Sequence, residues 1–209
     1  MSDSLLTTDP RFWVLSEALA SYAGDEDDPP IRDGERLQAA VSLVIRGGVD
    51  LDVLLIKRAR SERDPWSGHM ALPGGRRDPT DRDLRDTARR ETLEETGLDL
   101  LRSGTPLGRL DDVAPSSPRL PKLTVASFVF GVTAGTTAEV ASHEIDSVYW
   151  VPLDDVRDPA NHTHIEIALP GGPRAFPSYS LVGEHVWGLT HRILRRFLQL
   201  YPESALDEL

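Results

Sequence analysis

At 209 residues, with 39% apolar and 27% charged side chains, the chain has the size and composition of one folded globular body and not of a disordered polymer. Its 34 acidic against 23 basic residues give a net charge of −11, which argues against sequence-independent binding to long nucleic acids, and the lack of cysteine excludes disulfides, zinc–thiolate sites and a cysteine nucleophile. The start at Met1 has neither the basic nor the apolar region of a signal peptide, and no apolar run approaches the ~20 residues of a membrane span, so a cytoplasmic protein without a membrane partner is expected.

Asp9 caps a predicted helix with Pro10 in its first position, and Phe12, Leu15, Leu19 and Tyr22 follow at helical spacing. The acidic, Pro-terminated stretch 24–30 reads as a solvated linker, which divides the chain into an N-terminal helix and linker (1–35) and a main domain (36–209). Ala39 to Ile45 and Leu51 to Ile56 are predicted antiparallel strands joined through Gly47-Gly48. A polar loop then leads to His69-Met70-Ala71-Leu72, and Pro73-Gly74-Gly75 is expected to end any strand there. Asp81 or Asp83 caps a helix running to about Thr96, closed by Gly97 in the left-handed conformation. Leu123 to Val132, Ser147 to Val151 and Asn161 to Ala168 read as strands, and from Glu184 the residues Val186, Thr190, Ile193, Leu194, Phe197 and Tyr201 predict a C-terminal amphipathic helix. Mixed elements without regular βαβ alternation point to an α+β or α/β sandwich.

The charge is not evenly spread. Lys57 to Arg90 holds ten basic and six acidic residues, so this segment is +4 and an anionic partner is expected near it. On the following helix, at about 100° per residue, Glu91, Glu94 and Glu95 share an arc with Leu84, Thr87 and Ala88. Carboxylates on a core-leaning face lose hydration and repel one another. Either the stretch is a solvated Arg/Glu helix edge, or arginines such as Arg90 or hard divalent cations offset that cost. Gly74-Gly75 lie just upstream, where bare backbone can approach a metal or phosphate.

Taken together, Leu72-Pro73-Gly74-Gly75, the helix, and Arg90-Glu91-Thr92-Leu93-Glu94-Glu95-Thr96-Gly97-Leu98 resemble the Nudix box, G-x5-E-x7-R-E-U-x-E-E-x-G-U with U apolar. Thr92 takes the first U place. Upstream, the first Glu of the box would fall on Arg82 and its Gly on Arg76, so one extra residue follows Gly75 and Asp81 or Asp83 is the nearest acidic substitute. Beyond the box, Trp150-Val151-Pro152-Leu153 after Glu144 resembles the family's strand and turn, and the likeness covers roughly residues 38 to 155.

The resemblance implies a Nudix-type α/β/α sandwich around a mixed sheet, with added N- and C-terminal helices. It implies hydrolysis of a nucleoside-diphosphate-linked small molecule with Mg2+, or alternatively Mn2+. Glu91, Glu94 and Glu95 become the metal ligands, assisted by a carbonyl at Gly74 or Gly75. Arg90 orients these carboxylates, and Glu144 is either a general base from beyond the box or a plain loop residue. Arg58, Arg60, Arg63, Arg76 and Arg77 offer guanidinium groups to phosphates, and Trp66 an aromatic face to a base. Leu54-Leu55, Arg60-Ser61, Arg63, Gly68 and Leu72-Pro73-Gly74-Gly75 partly resemble the extra motif of the coenzyme A diphosphatases, which favours coenzyme A or a derivative as substrate. The alternatives are hydrolysis of ADP-ribose, dinucleoside polyphosphates or damaged nucleotides, and a non-catalytic nucleotide sensor. By analogy a homodimer is expected, with the terminal helices as interface elements.

Overall fold

The computed structural model describes residues 3–23, 37–61, 67–115, 122–169 and 171–201. In chain order these form α1 (Asp3–Thr8), α2 (Pro10–Ala23), β1 (Leu37–Arg46), β2 (Asp52–Arg58), β3 (Met70–Ala71), β4 (Gly74–Arg76), α3 (Leu84–Thr96), α4 (Leu100–Ser103), β5 (Thr105–Val113), β6 (Leu123–Val132), β7 (Ile145–Pro152) and α5 (Leu153–Arg157). A short 3-10 turn at Pro159–Asn161 leads to β8 (His162–Leu169), β9 (Gly172–Leu181), β10 (Glu184–Trp187) and α6 (Gly188–Leu200). The acidic linker expected at 24–30 lies outside the described residues.

Seven strands make one mixed sheet, ordered β3-β2-β1-β6-β5, with β4 pairing β1 and β7 pairing β2. β1 and β6 run parallel in unbroken register from Leu37↔Leu123 to Arg46↔Val132, and the other pairings are antiparallel. Alternation along the central strands assigns side chains to two cores. Ala40, Val44, Leu54, Phe128 and Phe130 pack against Leu84 and Ala88 of α3 on one face. Leu43, Ile45, Val53, Leu55 and Val129 pack against α2 and α6 on the other, through Phe12, Leu15, Leu19, Ile193, Leu194 and Phe197. Helices on both faces of a mixed sheet give the expected α/β/α sandwich, and the N-terminal helix is part of its core.

Two expectations need correction. β3 ends ahead of Pro73, but Gly74-Gly75 do not end strand pairing: they open β4, which hydrogen-bonds β1 at Ala39↔Arg76, Ala40↔Gly75 and Val41↔Gly74. The C-terminal helix starts at Gly188 and not at Glu184: residues 184–187 are β10, which returns on β9 through a two-residue turn at Val182 and Gly183, both with positive φ. That is the hairpin geometry matched to strand twist, and it places Val186 in the core from a strand. β5 and β9 had no legible strand signal. β5 contains Pro106 and Gly108 and is interrupted by two register shifts, and β9 has Pro173 and Pro177 where it pairs only with β8.

Candidate functional site

α3 starts where the Asp83 side chain accepts the Asp86 N–H at 2.7 Å, and ends at Gly97 with φ of 68°. Of the two capping candidates, Asp83 is therefore the cap. Asp81 is instead buried beside the helix, where it receives Arg90 Nε at 2.9 Å and Nη2 at 3.0 Å, the Asp78 N–H at 2.9 Å and the Thr87 hydroxyl at 2.8 Å. Burial pushes the Asp81 carboxyl up, but these donors outweigh it and hold its pKa below the usual carboxylate range.

Anchored in this way, Arg90 spreads over the carboxylates. Its Nη1 donates to Glu91 at 2.9 Å and to Glu94 at 3.1 Å, and its Nη2 to the Arg76 carbonyl at 3.0 Å. One planar guanidinium thus ties the strand after the glycines to the helix. The three glutamates differ in setting. Glu94 keeps 55% of its side-chain surface exposed, Glu91 17%, and Glu95 only 5%, so the core-leaning arc holds for two of them and Glu94 faces solvent.

Glu95 is the most perturbed carboxyl. Burial, together with the like charges of Glu91 and Glu144, pushes its pKa up to about 8, against the Gly74 N–H and Arg58, which lower it. The Gly74 N–H donates to Glu95 Oε2 at 2.9 Å, and Arg58 Nη1 lies 3.8 Å from its Oε1. The Glu91 carboxyl is raised too, by burial, with Arg90 opposing. A Cβ on Gly75 would come within 2.5 Å of the Glu91 carboxylate, so only glycine leaves room for that side chain. Glu144 is exposed, on a turn whose carbonyl accepts the Ala59 N–H at 2.8 Å, directly after Arg58.

Among the described residues no three His, Asp or Glu side chains already surround one point as metal ligands. Glu91 and Glu94 turn toward Arg90 and Glu95 toward the Gly74 amide. The donor set nevertheless fits a hard divalent ion. It consists of oxygens, it gathers negative charge in a partly desolvated place, and its buried member carries a raised pKa that a cation would reverse.

Thr92, in an apolar place of the box, is fully buried and satisfied: its hydroxyl donates to the Ser42 hydroxyl at 2.8 Å and lies 2.7 Å from the Ala88 carbonyl. Ser42 itself donates to Ala88 O at 3.0 Å, a fastening of α3 to β1 that sequence reasoning missed because nothing local links positions so far apart. Of the expected phosphate-binding arginines, Arg58 reaches Glu95 and Arg60 and Arg76 are exposed. Arg77 Nη2 is engaged with the Asp81 carbonyl at 3.1 Å. Arg63 and Trp66 lie outside the described residues.

The NUDIX domain family model matches residues 36–169. An uncharacterized protein of Schizosaccharomyces pombe is 42% identical over 118 residues, which is 55% of this chain and 36% of that one. The uncharacterized Nudix hydrolase NudL of Yersinia enterocolitica is 28% identical over 200 residues, 95% of this chain and 98% of its own length. The mitochondrial coenzyme A diphosphatase NUDT8 of Homo sapiens is 34% identical over 136 residues, 64% of this chain and 56% of that enzyme. The chain thus spans little more than a third of the yeast relative and just over half of the human one. Among solved structures, a MutT/nudix family protein from Enterococcus faecalis shares the fold, with a TM-score of 0.52 at 18% identity over 93% of this chain and 79% of that one.

Proposed function

The chain belongs to the Nudix hydrolase family, whose members act on phosphoric anhydrides, and from that premise we propose that it cleaves the diphosphate of coenzyme A or a derivative. The observation that carries the catalytic part is the buried Glu95 carboxyl, its pKa pushed up to about 8, next to Glu91 and the bare Gly74-Gly75 backbone. Glu91, Glu94 and Glu95, with the Gly75 carbonyl, are the residues that would hold Mg2+ or Mn2+. When bound, such an ion neutralises a diphosphate and makes hydroxide accessible near neutral pH.

The protein's own groups prepare that site. Asp81 fixes Arg90, and Arg90 holds Glu91 and Glu94 beside it, so that these carboxylates exchange the guanidinium for the cation when it binds. Arg58 offers a guanidinium to the phosphates next to Glu95, and Gly74, set against β1, directs its N–H to Glu95 at that place. Glu144, exposed and electrostatically coupled to Glu95, is the proton acceptor in this reading. The net charge of −11 favours a small substrate over a nucleic-acid chain, and among the described residues no helix is long and apolar enough to cross a membrane.

The coenzyme A assignment has support from the paired leucines, Arg60-Ser61 and Gly68 upstream of the glycines, and from the likeness to the human coenzyme A diphosphatase. Magnesium-dependent hydrolysis of coenzyme A, ADP-ribose, NADH, diadenosine polyphosphates and oxidised dGTP, with products identified by mass spectrometry, tests it. Release of 3′,5′-ADP from coenzyme A is expected. Turnover confined to another substrate overturns the coenzyme A assignment, and nucleotide binding without hydrolysis overturns the catalytic one.

A further inference from the structure

Three aromatic rings stand apart from the hydrophobic cores. His69, Phe176 and Trp187 belong to none of the buried apolar clusters, and each keeps part of its surface in solvent. They come from distant parts of the chain, yet they adjoin. The His69 and Trp187 rings lie 4.9 Å apart at 62°, those of Phe176 and Trp187 5.5 Å apart at 46°, and the Arg174 guanidinium sits 5.3 Å from the centre of Phe176.

This row of rings is joined to the carboxylate site through Arg58. The His69 carbonyl accepts the Arg58 N–H at 3.0 Å, and the same Arg58 reaches Glu95 with its guanidinium. Lys57, paired with Met70, bonds Glu184 at 2.5 Å and fastens β10 over β3, which brings Trp187 next to His69. The C-terminal small sheet is thereby held beside the strand that leads into Gly74-Gly75.

Partly exposed rings with one guanidinium at their outer end and a second on the strand next to His69 suit a flat π-system that carries negative charge. Such a ligand stacks on the rings and pairs its phosphates with the cations. We propose that His69, Phe176 and Trp187, with Arg174 at the outer end, form the subsite for the adenine base of the substrate's nucleotide half, its phosphates leading inward to Arg58. The inward direction rests on the diphosphate-hydrolase reading above. Under this assignment the base is selected by β9 and β10, outside the helix and glycine turn that carry the chemistry.

The test uses the full chain, with ADP as probe and inorganic pyrophosphate as its base-free counterpart. ADP is expected to quench the tryptophan fluorescence of the wild type. Trp187→Phe, which keeps a ring but loses the reporter, loses that quenching and still binds ADP within about twofold by calorimetry. Phe176→Ala weakens ADP about tenfold and leaves pyrophosphate unchanged, and Phe176→Leu, which keeps volume without a π face, does the same should the alanine variant fail to fold. Quenching that survives Trp187→Phe, or equal weakening of ADP and pyrophosphate in the Phe176 variants, overturns the subsite. Quenching through Trp187 in a wild type that hydrolyses no diphosphate upholds the subsite and sinks the hydrolase reading. Hydrolysis without any quenching does the reverse.

Discussion

Gly74 and Gly75 are neighbours whose constraints differ. Gly74 has φ of 153°, and a Cβ there would overlap the Ala40 carbonyl and the Val41 backbone, neither of which can swing away. A Cβ on Gly75 would meet only the Glu91 carboxylate, the far end of a side chain. Gly74→Ala is therefore expected to destabilise the fold by about 1–3 kcal/mol or more. Gly75→Ala is expected to retain the melting temperature while a displaced Glu91 lowers kcat by roughly 100-fold. Thermal unfolding and kinetics of the two variants check this. Full activity in folded Gly75→Ala would remove Glu91 from the site.

At the scale of elements, α3 is both the best-specified helix and the carrier of the chemistry. Its period and its caps, Asp83 and Gly97, were legible because they act within one turn of the helix ends. The sequence offers Asp81 or Asp83 as the acidic substitute in the box, but the choice of Asp81 was not legible, since it depends on Arg90 nine positions later and on Thr87 beside the contact. Asp81 thus supplies an acidic support for the arginine where the box's first Glu place holds Arg82, which instead pairs with Asp86 on the exposed side. Asp81→Asn keeps the shape but removes the charge that anchors Arg90. It is expected to lower kcat about tenfold with the helix content intact, as lost support of ligating groups does. An unchanged kcat would mean that Arg90 needs no anchor. The strands β5, β9 and β10 were obscured for another reason. Prolines, a positive-φ glycine and a β-branched Val182 in a left-handed turn position hide pairing that long-range contacts enforce, and Val186 fits a helical spacing by coincidence.

For the whole molecule, one face of the sheet is closed by both ends of the chain. Phe12, Leu15 and Leu19 of α2 are fully buried with Phe197 and Leu194 of α6. Arg196 Nη2 bonds the Tyr22 hydroxyl at 2.7 Å, and Arg11 grips the Gly48 carbonyl at 2.7 Å. This clamp lies opposite α3, and the second face is covered by α3 through Leu84, Ala88 and the Ser42–Thr92 bond, with Leu98 and, from α4, Leu100 beside it. The expectation of a separate N-terminal extension understated this, because a linker's composition says nothing about what the helix before it packs against.

Glu95 as a buried cation ligand bears on the stability of the entire protein. Its folded pKa of about 8 stands above the ordinary 4.5, so the Glu95 contribution to metal-free stability is fully present below 4.5 and is lost as pH rises toward 8, while a bound cation restores it; the Asp81 and Asp86 carboxyls, held low by their donors, act in the opposite sense only in acid. The His191 imidazole is shifted down by burial and adjacent cations and acts in the opposite sense, but only below its usual 6.5. The decisive measurement is therefore thermal unfolding between pH 6.5 and 8, with and without Mg2+, for the wild type and Glu95→Gln. The wild type should lose stability with pH when metal-free and gain more from Mg2+ at pH 8 than at 6.5. Glu95→Gln should flatten the metal-free profile, abolish the Mg2+ response and abolish turnover. A Glu95→Gln variant that keeps the Mg2+ response and turnover of the wild type would contradict the account.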